Sequence, residues 1–288
     1  MPTSPDLRLI RADNASAMTG TGTNTYLLGR DAVVVIDPGP DLAPHRTAIL
    51  TAIGEARVAA ILVTHCHLDH SALARPLADA TGARVLAFGP AGSGRSDRMT
   101  RLAAAGLAGG GEGFDLRFVP DRRLRHAEVL TLGDLTIEVL HLPGHTGCHL
   151  GFAVGDRLFA GDHVMGWSTS LVSPPDGDMA DYVASLRALA ARRWSVIYPG
   201  HGTAVTDPAA RLAALLAHRA SREAEILAAL RGGPASATQL SRQIYTTTPP
   251  ALLPAASRNV LAHLIDLWDR DRVAAPTPFD PNGRFTLT

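Results

Sequence analysis

Residues 59–71 read AAILVTHCHLDHS, and this stretch decides the fold. Ala59 to Val63 is an aliphatic run of strand length, followed at once by His65, His67, Asp69 and His70 within six residues. The H-x-H-x-D-H cluster therefore occupies the loop that leaves the carboxyl end of a strand. Imidazoles and a carboxylate are borderline ligands that suit zinc, and crowding four of them is relieved by a cation or by protonation. His65 and His67 can point to one centre. Asp69 and His70, further around the turn, can face a second, at the roughly 3.5–4 Å separation that two-metal hydrolases use. A surface or capping cluster is the bland alternative, and the cost of burying so many uncompensated polar groups weighs against it.

Working outward, the chain repeats a strand, a glycine and a metal-type residue. Pro143, Gly144 and His145 put a histidine in a tight turn after a strand expected at 135–140. Ala160, Gly161 and Asp162 place a carboxylate at the end of another strand, and Tyr198, Pro199, Gly200 and His201 repeat the pattern. Upstream, VVVIDPG at 33–39 carries Asp37 at a strand-to-turn junction.

Composition bounds what this cluster can serve. The 288 residues suggest a large domain or a main domain with an appendage, and 46% hydrophobic with 19% charged residues describes a globular chain rather than a disordered or fibrous one. The 27 basic residues balance 27 acidic ones, so there is no whole-molecule pull toward nucleic acid or anionic membrane. All 27 are arginine, which excludes a Schiff-base or P-loop lysine. Cys66 and Cys148 are too few for a disulfide framework, the first residues lack a signal-peptide pattern, and no apolar run approaches the roughly 20 residues of a membrane span. A cytoplasmic location without membrane association is the expectation.

Strands are expected at 25–28, 32–36, 59–63, 84–88, 116–119, 135–140, 150–154 and 157–160, with helices at 43–54 and 71–80. The glycine-rich segment 106–113 lacks a following Gly-Lys-Ser/Thr and reads as a loop. Asp207 and Pro208 open a long connecting helix that stops at Gly232, Gly233 and Pro234. Ser236 caps a short helix through Ile244, a proline-rich turn spans 246–254, and a second helix is expected at 257–268 before a terminal hairpin. Helix, helix and hairpin outline a winged-helix module. The expected division is 1–206 for the catalytic unit and 207–288 for the connecting helix and winged-helix-like domain.

THCHLDH, LPGHTGCH, FAGD and YPGHG, with GTNTYLLG near residue 22, resemble the metallo-β-lactamase superfamily in order and spacing, and within it the β-lactamase-like protein 2 group. The resemblance covers Gly22 to about Thr206 and implies an α/β fold, a four-layer αβ/βα sandwich with a dinuclear site at one edge. It implies that His65, His67 and His145 hold one zinc, that Asp69, His70 and His201 hold the other, and that Asp162 bridges them. Asp37 then supports the metal loop without binding metal. Oxygen-reducing di-iron relatives carry Glu where His67 stands, which favours hydrolysis over redox chemistry. Two Zn are the implied cofactors, with iron or manganese as alternatives.

Such cations lower the pKa of a shared water, and Asp69 would orient the nucleophile and protonate the leaving group. Cys66 most simply points into the sheet, and His149 and His163 read as orienting or core residues. His45, His126, His141, His218 and His263 read as structural or exposed. The expected function is a metal-dependent hydrolase of a phosphodiester, RNA-like, or ester substrate. A glyoxalase II-like thioester or lactone hydrolase is the alternative, and a nucleic-acid-binding regulator a weaker one. From Asp207 onward nine Arg face seven acids, a weak attraction for single-stranded RNA, so the tail reads better as a pocket wall or homodimer contact.

Overall fold

The computed structural model describes residues 6–109 and 113–288. Gly110, Gly111 and Glu112, the middle of the glycine-rich segment, lie outside the described residues, as do residues 1–5. The chain opens with β1 (Leu7–Arg11), β2 (Asn24–Leu28), β3 (Ala32–Ile36), α1 (Ala43–Ile53), β4 (Arg57–Leu62), the single turn α2 (Leu68–Ser71) and α3 (Ala74–Thr81). β5 (Val85–Ala87), α4 (Asp97–Ala104), β6 (Arg122–Arg123), β7 (Val129–Leu132), β8 (Leu135–His141), β9 (Leu150–Val154) and β10 (Arg157–Gly161) follow. The remainder is α5 (Met179–Ala190), β11 (Val196–Pro199), α6 (Pro208–Leu230), α7 (Ala237–Ile244), α8 (Leu253–Asp269), β12 (Val273–Ala274) and β13 (Thr286–Leu287).

The strands form two sheets, ordered β1-β2-β3-β4-β5-β6 and β11-β10-β9-β8-β7. From β3 to β6 the pairing is parallel, whereas β7 to β10 run antiparallel and only β10 and β11 are parallel in the second sheet. Strand periodicity explains the layers. In β2, Tyr26 and Leu28 meet Ile137, Phe152 and Phe159 between the sheets, while Leu27 faces Ile49, Leu73 and Leu77 on the outer helices. The second sheet sends Leu158, Ala160 and Ile197 outward against Tyr182, Leu186 and Leu189 of α5. Both sheets are thus covered on both faces, which is why their strands read as continuous apolar runs. This is the expected four-layer αβ/βα sandwich.

Three expectations need correction. The segment 116–119 is a turn, because Asp115 accepts the N–H of Arg117 through Oδ1 and that of Phe118 through its carbonyl, leaving Leu116 83% exposed. The helix expected at 71–80 is two pieces, α2 and α3, since Leu73 turns its N–H to the Gly39 carbonyl at 3.0 Å between them. The last helix also starts earlier than expected, at Leu253, with Pro254 tolerated in its first turn.

α6 begins as the Asp207-Pro208 signal requires, with the Asp207 carboxylate accepting the Ala210 N–H. Leu212 and Leu215 in its first half join the core behind the second sheet. Ile226 and Leu230 in its second half join a separate core with Leu240 of α7, Val260, Leu264 and Ile265 of α8, and Phe285. Ser236 and Gln239 close a capping box on α7. Among the described residues no helix is long and apolar enough to cross a membrane.

Candidate metal centre

The seven metal-type residues come together where four strand ends meet. His65 and His67 leave β4, and Asp69 and His70 sit on α2, whose first N–H, that of Leu68, is held by the Gly113 carbonyl. His145 follows β8, Asp162 follows β10 and His201 follows β11. The glycines before them are there for space. A Cβ on Gly144 would lie 2.3 Å from the Tyr182 Cα, and one on Gly200 would lie 2.4 Å from Asp162 Oδ1 and 2.6 Å from His70 Cε1.

The hydrogen bonds decide which nitrogen of each ring faces inward. His65 Nδ1 donates to Thr64 Oγ1 at 3.0 Å, and that hydroxyl donates to Asp37 Oδ2 at 2.8 Å. His70 Nδ1 donates to the same carboxylate oxygen at 2.9 Å, His145 Nδ1 to the Leu171 carbonyl at 2.6 Å, and His201 Nδ1 to the Gly22 carbonyl at 3.3 Å. Four rings therefore turn Nε2 to the centre, while His67 contributes Nδ1 and, among the described residues, its buried Nε2 has no partner.

The inward atoms stand at spacings that fit a cation. His67 Nδ1 is 2.9 Å from His65 Nε2 and 3.1 Å from His145 Nε2. His201 Nε2 is 3.3 Å from His70 Nε2 and 3.2 Å from Asp69 Oδ2. Ligands roughly 2.0–2.1 Å from a tetrahedral ion stand about 3.3 Å apart, close to the spacings in both groups. Asp162 reaches both groups, with Oδ1 3.4 Å from His70 Nε2, and Oδ2 3.3 Å from His201 Nε2 and 3.9 Å from His145 Nε2. Three overlapping triads can each hold an ion: His65, His67 and His145; His65, His70 and Asp162; and Asp69, His70 and His201.

Protons follow the same division. Burial drives His65, His67 and His145 toward the neutral form, His67 down to about 3. Burial opposes charge on His70 and His201 too, but Asp69, Asp162 and Asp37 outweigh it for His70, and Asp162 and Asp69 lift His201 to about 9. Both facing carboxylates are held ionised. Burial works against this, but His70 and His201 overcome it at Asp69, and His201 and His70 do so at Asp162.

Asp37 stands where a supporting residue should. It makes no approach to the centre, and it accepts from the Thr64 N–H at 2.7 Å as well as from Thr64 Oγ1 and His70. Cys66 is fully buried in the core, with Sγ 3.3 Å from Cys148 Sγ. His149 stacks on His65 and accepts the Asp162 N–H at 3.2 Å. His163 is fully buried beside Tyr182, and His45 is buried with Nε2 2.9 Å from Thr25 Oγ1. Sequence reasoning missed Thr64 and Thr23, whose hydroxyl donates to Asp69 Oδ2 at 3.1 Å. A cavity of about 510 Å³ lies over the donors. The tail, expected as a pocket wall or homodimer contact, lines the site through Tyr245, Leu252, Ala256 and Asn259, whereas the part of the wall from Met18, Met165, Trp167 and Leu171 was not foreseen.

Comparison with known proteins gives the cluster its context. The model of the metallo-beta-lactamase superfamily matches residues 18–201, the span that carries all seven residues. The chain belongs to the metallo-beta-lactamase superfamily. Residues 236–277 match a beta-lactamase associated winged helix domain, the second part of this architecture. A beta-lactamase-like protein 2 homolog from Drosophila melanogaster is 32% identical over 92% of this chain and 88% of its own length, which places this member of the superfamily in that group. An atrochrysone carboxyl ACP thioesterase from Paecilomyces divaricatus is 27% identical over 79% of this chain and 65% of that protein. Among solved structures, a metallo-beta-lactamase family protein from Thermus thermophilus shares 25% identity at a TM-score of 0.77, covering 98% of both chains. With this fold, a His/Asp centre able to hold metal and relatives that are hydrolases, the chain is a metallo-hydrolase.

Proposed function

We propose that this metallo-hydrolase cleaves an acyl thioester or ester with a largely apolar acyl group. One observation carries this reading: Met, Leu, Ala, Trp and Tyr side chains make up most of the cavity wall over the donors, with Thr19, Ser168, Thr169, Thr248 and Asn259 as its uncharged polar members, and no arginine is among the lining residues. The chain has no lysine at all. A phosphodiester polymer would enter such a cavity without the cationic contacts that dominate nucleic-acid binding, whereas an acyl chain gains from burial there. The relative named as an acyl carrier thioesterase adds support.

In this reading His65, His67 and His145 would hold one zinc ion, Asp69, His70 and His201 would hold the second, and Asp162 would serve both. Zinc suits five imidazoles and two carboxylates, and iron or manganese would accept the same donors. When bound, the ions supply Lewis acidity and a water-derived nucleophile at neutral pH. The protein's own residues do the rest. Asp37 and Thr64 lock the rings of His65 and His70, the Leu171 carbonyl locks His145, and the apolar walls exclude water from the acyl group. Asp69 has the more exposed carboxylate of the two, at 27% against 12% for Asp162, and it lines the cavity. Held ionised, it can take a proton on one side and return it to the leaving sulfur or oxygen.

The test compares the zinc-loaded protein on an acyl thioester, a lactone and a short unstructured RNA, with Asp69→Asn as control. Turnover of the thioester, lowered at least about a hundredfold in D69N, is expected. Metal-dependent cleavage of the RNA with the thioester untouched would overturn the acyl reading.

A further inference from the structure

One face of α8 is turned into the cavity. Leu252, just before the helix, and Ala255, Ala256 and Asn259 within it all line the space that holds His67, Asp69, His145, Asp162 and His201. Their spacing of three, four and seven residues is that of a single helical stripe. Three of the four are apolar, and the fourth carries an amide.

That amide is oriented. Asn259 Oδ1 accepts the backbone N–H of Val172 at 2.9 Å, which assigns the oxygen to that side and turns Nδ2 away from it. Among the described residues Nδ2 donates to no acceptor, although the side chain is half-buried in the cavity wall. The residue before Val172 is Leu171, whose carbonyl holds His145 Nδ1. A strap of two consecutive residues thus grips a ring of the centre at one end and Asn259 at the other. A donor fixed in this way is set in advance for an acceptor on whatever fills the cavity, with little entropy left to lose on binding.

We infer that Asn259 is a specificity-determining residue: its Nδ2–H donates to an oxygen carried on the acyl group, so that an oxygenated acyl chain is chosen over its hydrocarbon counterpart. The inference rests on the acyl reading above and goes beyond it by naming the feature that is recognised. A donor held in one orientation in the cavity wall discriminates in this sense because an acyl chain without oxygen displaces water from it and offers no acceptor in return.

The experiment uses the zinc-loaded full chain and two thioesters of equal length, a 3-oxoacyl and the corresponding saturated acyl. The ratio of their kcat/KM values is measured for the wild type and for Asn259→Asp. The variant keeps an oxygen for the Val172 N–H and replaces the donor with an acceptor. Comparing ratios cancels the ketone's own effect on reactivity. The preference for the 3-oxoacyl substrate is expected to fall about tenfold in N259D, chiefly through KM. Asn259→Ser, too short to reach, gives the same direction and serves if N259D does not fold. Equal ratios in wild type and variants would overturn the role of Asn259 while leaving the acyl reading intact. Turnover of neither thioester by the wild type would overturn both.

Discussion

The rings of the centre divide into two kinds by their burial and charge, and this division has a measurable consequence. In the metal-free protein His201 holds its proton to about 9, against 6.5 for an ordinary histidine, and His70 is also raised. Their contribution to stability is complete below 6.5 and is lost as the pH rises through the folded value. His65, His67, His145, His149, His163 and His263 are lowered by burial, so their contribution is present above 6.5 and is lost in acid. The melting temperature of the metal-free protein is therefore expected to peak at about pH 6.5–7 and fall on both sides. Zinc replaces the protons on His70 and His201, so a scan with zinc should lose the alkaline fall. A metal-free profile that is flat between pH 7 and 9 would contradict the charge assignment. These donors were legible in the sequence because His65, His67, Asp69 and His70 crowd one strand end and His145, Asp162 and His201 each follow a strand and a glycine. Thr64, Thr23 and the Leu171 carbonyl were not, since a hydroxyl or a carbonyl carries no signal until the fold brings it to a ring.

At the scale of elements, the strand ends do the positioning, and their glycines are the tightest points. Gly200 packs against two donors that are themselves fixed, Asp162 and His70, so neither can retreat from a new methyl group without leaving the centre. Gly200→Ala is expected to fold, because the clash is local, and to weaken zinc binding at least about tenfold, as displaced donors do. Zinc content after dialysis against a chelator of graded strength would check this, and wild-type retention in the variant would count against the geometry. Elements built on long apolar runs, such as β3, β4 and β9, were legible because burial on both faces writes itself into composition. Others lacked that signal. β1 is an edge strand, LRLIR, with Leu9 50% exposed, and it owes its conformation to pairing with β2. α4 has a Ser96 cap accepting from Met99, but only Met99 and Leu102 of its eight residues are buried, too few to stand out as a periodicity.

For the whole molecule, α6 is the decisive element, because it belongs to two cores at once. Leu212 and Leu215 pack behind the second sheet with Trp194, while Ile226 and Leu230 pack among α7 and α8, close to Trp268. Midway between them Arg219 is 2% exposed, lies over the Tyr182 ring and donates to the Ser170 carbonyl. A helix anchored in this way cannot leave one core without straining the other, and α8, which walls the cavity, depends on the same anchor. The two regions should therefore unfold as one cooperative unit. Variants that retain Trp194 alone or Trp268 alone report each region separately in a denaturant titration. Their transitions are expected to coincide. Leu215→Ala opens a cavity only in the sandwich core, and it should cost roughly 2–5 kcal/mol and move both transitions together. If only the Trp194 transition moves, the C-terminal region folds by itself, and the position of Asn259 over the centre is then set by docking between two units rather than by a shared helix.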